Sequence, residues 1–159
     1  MQVFLEIVSA GEWDGKIFEF IIHGRLKSGQ LLYLYDDTAD FDLRDYESQL
    51  IELLIVANNV SLKTTPWKPD TQLKDRFLKV IKGKYLGKYS LPQEWDNINY
   101  FYDEKSYKYW HRIDLYAIQT EDGTFLIHPK NADKLSIEDN KEYSFYVRRF
   151  YIIACHPIE

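Results

Sequence analysis

One cysteine, Cys155, is all the sequence has, so no disulfide can close within the chain. A cytoplasmic setting is the expectation. Residues 1–6 carry no basic start and reach an acid at Glu6, so no targeting segment is expected there. The longest apolar run, residues 50–57, is interrupted by Glu52 and is far too short to span a bilayer. Positive charge is not in excess. Twenty Lys and Arg face 25 Asp and Glu, for a net charge of -5, and the isoelectric point is near 5.4. That balance argues against nucleic acid or an anionic membrane as the main partner. His23, His111, His128, His156 and Cys155 share no metal-ligand spacing. No Gly-rich phosphate loop, serine nucleophile elbow or His-Glu zinc motif is present. No catalytic residue, cofactor or metal ligand is therefore assigned from the sequence.

Aromatic residues, in contrast, are abundant. They make up 16% of the chain, with 13 Tyr, 9 Phe and 4 Trp. Such side chains favour pleated, half-buried surfaces and interfaces. Hydrophobic residues at 45% and charged residues at 28% are the balance of an ordinary globular protein.

Two parts of the sequence read as copies of each other. Residues 4–16 align with 77–88 after one deletion opposite Ala10, which places Phe4 over Phe77, Gly11 over Gly83 and Gly15 over Gly87. Farther on, residues 28–32 lie over 122–126, and the same register carries Ile51 to Phe145 and Leu53 to Val147. Repeated units are the first organisation to seek in a chain. The expected fold is all-β or mostly β: a tandem duplication of a small OB-like or SH3-like barrel unit. The first unit is 1–65, the linker 66–72 around Pro66 and Pro69, and the second unit 73–159. The second carries an aromatic-rich insertion at about 90–108.

Strands are expected at 3–8, 16–23, 31–35, 50–57 and 60–63, with hairpin turns at Ser28-Gly29 and Asp122-Gly123. In the second unit, strands are expected at 77–85, 110–120 and 124–128, then one long or two short strands over 142–154. Residues 70–82 read both ways. Asp70 could cap a helix, but the repeat favours a strand from Phe77.

Four groups of residues invite a functional reading. Asp36, Thr38, Asp40, Asp42 and Glu47 have calcium-loop spacing, but Phe41 stands where the sharp turn requires glycine. Cys155 and His156 are adjacent, and neighbours on a strand point to opposite faces, so they do not form a nucleophile and base. Lys79, Lys82 and Lys84 with Tyr85 could hold an oligonucleotide, phosphates on lysine and a base on the ring. A strand edge blunted by lysine explains the same pattern. The insertion brings Trp95, Tyr100, Tyr102, Tyr107 and Trp110 close in sequence, the residue types that dominate protein interfaces.

The expected function is a non-enzymatic protein-binding module that uses these insertion rings. Residues 1–70 carry 12 acids against 6 bases, and such a surface suits a basic partner of the kind an immunity-type inhibitor holds. An oligonucleotide-binding protein is the alternative. An enzyme with a carboxylate site between the two units is the third reading.

Overall fold

The computed structural model describes residues 1–62 and 79–158 and is mostly β. The linker at 66–72 lies outside the described residues. So do Phe77 and Leu78 and most of the ambiguous stretch at 70–82, although its end, from Lys79, is strand. Strand β1 (Gln2–Trp13) alternates, with Val3, Leu5 and Val8 buried and Phe4, Ile7 and Ser9 outside. A β-bulge between Leu5 and Ile7 shifts that alternation by one residue. Asp14 and Gly15, at φ 52° and 75°, turn the chain directly into β2 (Lys16–Leu26). Ser28-Gly29 then leads to β3 (Leu31–Asp36), and a loop with a 3-10 turn at Arg44–Tyr46 leads to β4 (Leu50–Leu62).

The second half also holds four strands. After β5 (Lys79–Tyr89) come two 3-10 turns, Gln93–Trp95 and Ile98–Tyr100, and helix α1 (Glu104–Arg112). Then follow β6 (Leu115–Thr120), β7 (Gly123–Ile127), the short α2 (Pro129–Ala132) and β8 (Lys141–Pro157).

The eight strands form one sheet in the order β1-β2-β3-β8-β4-β7-β6-β5, and β1 also pairs with β4 and β5 with β8. Those extra pairings close two circuits of five strands that share the β4–β8 ladder. One runs β1-β2-β3-β8-β4 and back to β1, and the other β5-β6-β7-β4-β8 and back to β5. The long strands serve both. On its outer edge β4 pairs with β1 at Gln2↔Glu52 to Phe4↔Leu50, then with β7 at Val56↔Leu126. Likewise β8 pairs with β5 at Lys79↔Val147 to Tyr85↔Lys141, then with β3 at Leu34↔Phe150.

Leu53, Leu54, Ile55, Val56 and Ala57 are all buried, because the centre of β4 is covered on both faces. A continuous apolar run is what such a strand requires. One core fills both circuits, from Val3, Leu5 and Ile22 through Ile55 and Ala57 to Phe125, Phe145 and Phe150. A second, smaller cluster lies on the other face of the shared ladder, where Leu54, Val56, Ile153 and Ala154 meet Trp95 and Phe101.

Several expectations need correction. The strand expected from Trp110 begins at Leu115, and the chain is helical through Arg112. Asp103 caps that helix with a carboxylate that accepts from Ser106 N at 2.7 Å, and the ion pair Glu104–Lys108 ties its first turn. Asn58-Asn59 does not end a strand. Asn59 takes φ 51°, but pairing with β8 continues from Asn58↔Arg149 to Val60↔Val147. The loop expected at 131–140 starts inside a helical turn, α2. Finally, Gly11 and Gly83, matched in the first alignment, occupy different places. Gly11 faces Glu19 of β2, whereas Gly83 faces Tyr143 of β8. The ladders instead put Leu5 beside Tyr85, since each directly precedes a bulge in its strand.

Candidate interaction surfaces

The insertion is a cover: Trp95, Phe101, Tyr100, Tyr107 and Trp110 face inward, while Tyr102 and Tyr109 are exposed. Helix α1 spaces Tyr107, Trp110 and Ile113 three residues apart, so one stripe packs on the second cluster. Trp95 is only 1% exposed and Phe101 4%. His156 of β8 anchors the cover: its ring lies 4.5 Å from Tyr100 and 5.1 Å from Trp95. Tyr107 donates its hydroxyl hydrogen to Asp96, which raises the phenol pKa by stabilising the protonated form. The Tyr109 hydroxyl lies 2.7 Å from His128 Nε2, and burial lowers the pKa of that histidine.

Of the five rings expected to meet a partner, Trp95, Tyr100, Tyr107 and Trp110 are buried or half-buried in this cover. Tyr102 alone is exposed, at 57%. The structure brings Trp95, Tyr100, Tyr107 and Trp110 together on their own sheet.

The basic strand is mixed in its surroundings. Lys82 and Lys84 line a cleft of about 1020 Å³ together with Glu121, Asp122 and Glu142, so acids oppose the lysines. Lys79 is half-buried at the start of β5. Tyr85 is buried, parallel to Tyr116 at 6.4 Å, and burial pushes its hydroxyl up to about 12. Its ring has no open face for a base.

The carboxylates of the acidic loop are spent on separate partners. Asp36 is the only buried charged residue among those described, and it accepts from the N–H groups of Asp40 at 3.0 Å and Phe41 at 2.6 Å. Burial raises its pKa despite those bonds. Asp42 holds Arg44 at 2.8 Å, and Glu47 accepts from Val8 N at 2.9 Å. Among the described residues no three His, Cys, Asp or Glu side chains converge as ligands for one ion. Burial, followed by the charge of Asp36, pushes the Cys155 thiol up to about 12, which favours its protonated form. No helix among the described residues is long and apolar enough to cross a membrane.

The most open apolar surface lies where the sequence reading did not look. Ten large hydrophobic side chains are exposed among the described residues, and six of them belong to β1–β4: Phe4, Ile7, Trp13, Phe18, Leu31 and Leu50. The pairings Phe4↔Leu50, Phe4↔Arg25 and Arg25↔Leu31 line up one row across four strands. Past the bulge, Ile7, Ser9 and Trp13 continue the outer face of β1, and Trp13 is 80% exposed beside the turn. Phe18 is left outside by a second register shift, where Gly11↔Glu19 gives way to Glu12↔Ile17. From Leu50 to Trp13 the strip extends about 30 Å at ordinary strand rise. A dipeptide Asp14-Gly15 flanked by alternating residues was the available sequence signal for this hairpin.

A scan against family models, a search of curated proteins and a search of solved structures each found no match.

Proposed function

We propose that this chain is a tandem duplication of a small OB-like or SH3-like barrel unit. In our reading it acts as a non-enzymatic protein-binding module whose docking face is the outer side of β1–β4. The units are 1–65 and 73–159, joined by 66–72, and the second bears the insertion.

The pairings support the duplication. Exchanging β1–β4 for β5–β8 turns the parallel pairing of β3 with β8 at Leu34↔Phe150 into a parallel pairing of β7 with β4 at Leu126↔Val56, two residues short of the register that carries Ile51 to Phe145. The register that carries Ile51 to Phe145 maps the middle of the β4–β8 ladder onto itself, up to the shift between Leu54 and Ile55: Val56↔Tyr151 becomes Phe150↔Ala57, and Asn58↔Arg149 becomes Ile152↔Ile55. Even the hairpin turns meet, since Asp122 accepts from both N and Oγ of Ser28, at 2.6 and 2.7 Å. Each barrel borrows its fifth strand from the other unit, so the units hold together through a shared ladder.

The observation that carries the binding reading is the strip of exposed apolar side chains on β1–β4. Contiguous apolar surface is costly to leave in water and marks interaction sites. Trp13 has two features of an interface anchor: a large ring and 80% exposure. The test is capture of binding proteins by the full chain, by Trp13→Ala, and by Tyr102→Ala with Tyr109→Ala. Loss of the captured protein with Trp13→Ala alone is the expected result. Loss with the insertion pair alone would return the interface to the insertion.

A further inference from the structure

We infer that the partner on the β1–β4 face is cationic: a protein segment that surrounds an apolar pocket for Trp13 with Lys and Arg. This rests on the docking reading above and adds the chemistry of the occupant.

The charge is strongly divided between the halves. Residues 1–62 hold eleven acids against four bases, while residues 79–158 hold eleven acids against twelve bases. Two of the four bases in the first half are already engaged. Arg25 Nε lies 2.5 Å from Glu6, and Arg44 is held by Asp42. The 36–47 loop packs on the core side of the β1–β2 hairpin, with Leu43, Phe41 and Tyr46 against the buried cluster. Glu47 binds Val8 N, the Arg44 guanidinium lies 5.5 Å over Phe20, and both Glu12 and Asp45 act on Arg44. Glu19 sits against Gly11 on the same hairpin. Glu12 and Asp14, both exposed, flank Trp13 along the chain, and Lys16 is its cross-strand partner.

Charge complementarity selects the occupant. A basic segment would be steered to the carboxylates of this half and would lose little on desolvation there. A second copy of the chain would oppose two faces of the same sign. A nucleic acid would meet the same repulsion from its phosphates.

The probe is a displayed library of random 16-residue peptides selected on the full chain at low ionic strength. Selected peptides are expected to combine several Lys or Arg with one aromatic or branched aliphatic residue. Their affinity should fall at least tenfold with Trp13→Ala. It should also fall severalfold with Glu12→Gln plus Asp45→Asn, and decline as salt rises. Neutral or acidic peptides that still require Trp13 would overturn the cationic partner and leave the docking face standing. Peptides indifferent to Trp13→Ala, or no enrichment at all, would overturn both. Self-association in sedimentation that Trp13→Ala abolishes would assign the face to a second copy.

Discussion

Between β1 and β2 the chain turns in two residues, Asp14-Gly15, and leaves Trp13 80% exposed at the end of a long hairpin. Between β5 and β6 it instead takes residues 90–114 and folds Trp95 to 1% exposure against β4 and β8. Each connection joins the first two strands of its half; the second is rich in rings, and the first is flanked by Trp13 and Phe18. What differs is where the apolar surface goes. The second connection covers its own sheet, so its rings stabilise the fold. The first covers nothing, and Trp13 and Phe18 beside it stay exposed. Aromatic density in a sequence therefore reports burial as readily as binding, and only the path of the chain separates the two.

The largest test of this contrast is a pair of tryptophan truncations. Trp95→Ala should cost about 3–5 kcal/mol in denaturant unfolding, because a cavity opens beneath the cover. Trp13→Ala should stay within about 0.5 kcal/mol. Equal losses would break the comparison.

The bulge sharpens it further. Gly87 follows the bulge in β5 as Ile7 does in β1, but Gly87 has φ 73° and an added Cβ would lie 2.5 Å from the Asp139 carboxyl carbon. Gly87→Ala should lose about 1–3 kcal/mol, from strain at positive φ and from the clash. Ile7→Ala, at a side chain 47% exposed, should change stability little. Parallel denaturation curves of the two variants give the comparison.

Asp103→Ala removes the cap of α1 and should cost about 1 kcal/mol. Circular dichroism should register a loosened helix while the sheet signal persists.

A smaller effect separates the loop beside the first hairpin from the rest. Burial raises the Asp36 pKa above 3.8, so the folded protein keeps this proton at pH values where the unfolded chain has released it. Its contribution to stability is thus greatest at or below about pH 4 and declines as pH rises through the raised value. Asp36→Asn has no such proton. Melting temperatures from pH 4 to 7 should therefore shift steadily in favour of the variant relative to the parent. A constant difference would contradict the assigned titration.

Much of the strand content was legible in the residues. The alternation of β1 and β2, the apolar run of β4 and the turns at Ser28-Gly29 and Asp122-Gly123 all carry local signals. The pairing of β3 with β8 was not legible, because Leu34 and Phe150 are more than a hundred positions apart and no local pattern encodes their pairing. The helix at Glu104–Arg112 was hidden by its rings. Tyr107, Tyr109 and Trp110 read as strand formers, although Asp103 as cap and the three-residue spacing of Tyr107, Trp110 and Ile113 mark a helix. The open face was missed for a different reason. Phe4, Ile7 and Trp13 look like core residues in a strand, and only the bulge after Leu5 and the bare hairpin place them outside.

The most direct measurement is hydroxyl-radical footprinting of the full chain, read residue by residue by mass spectrometry. Trp13, Phe18 and Ile7 should be modified fast, Tyr102 also, and Trp95 and Phe101 should be protected until the protein unfolds. Trp95 modified as fast as Trp13 would mean that the insertion stands open, and the contrast between the two connections would fall.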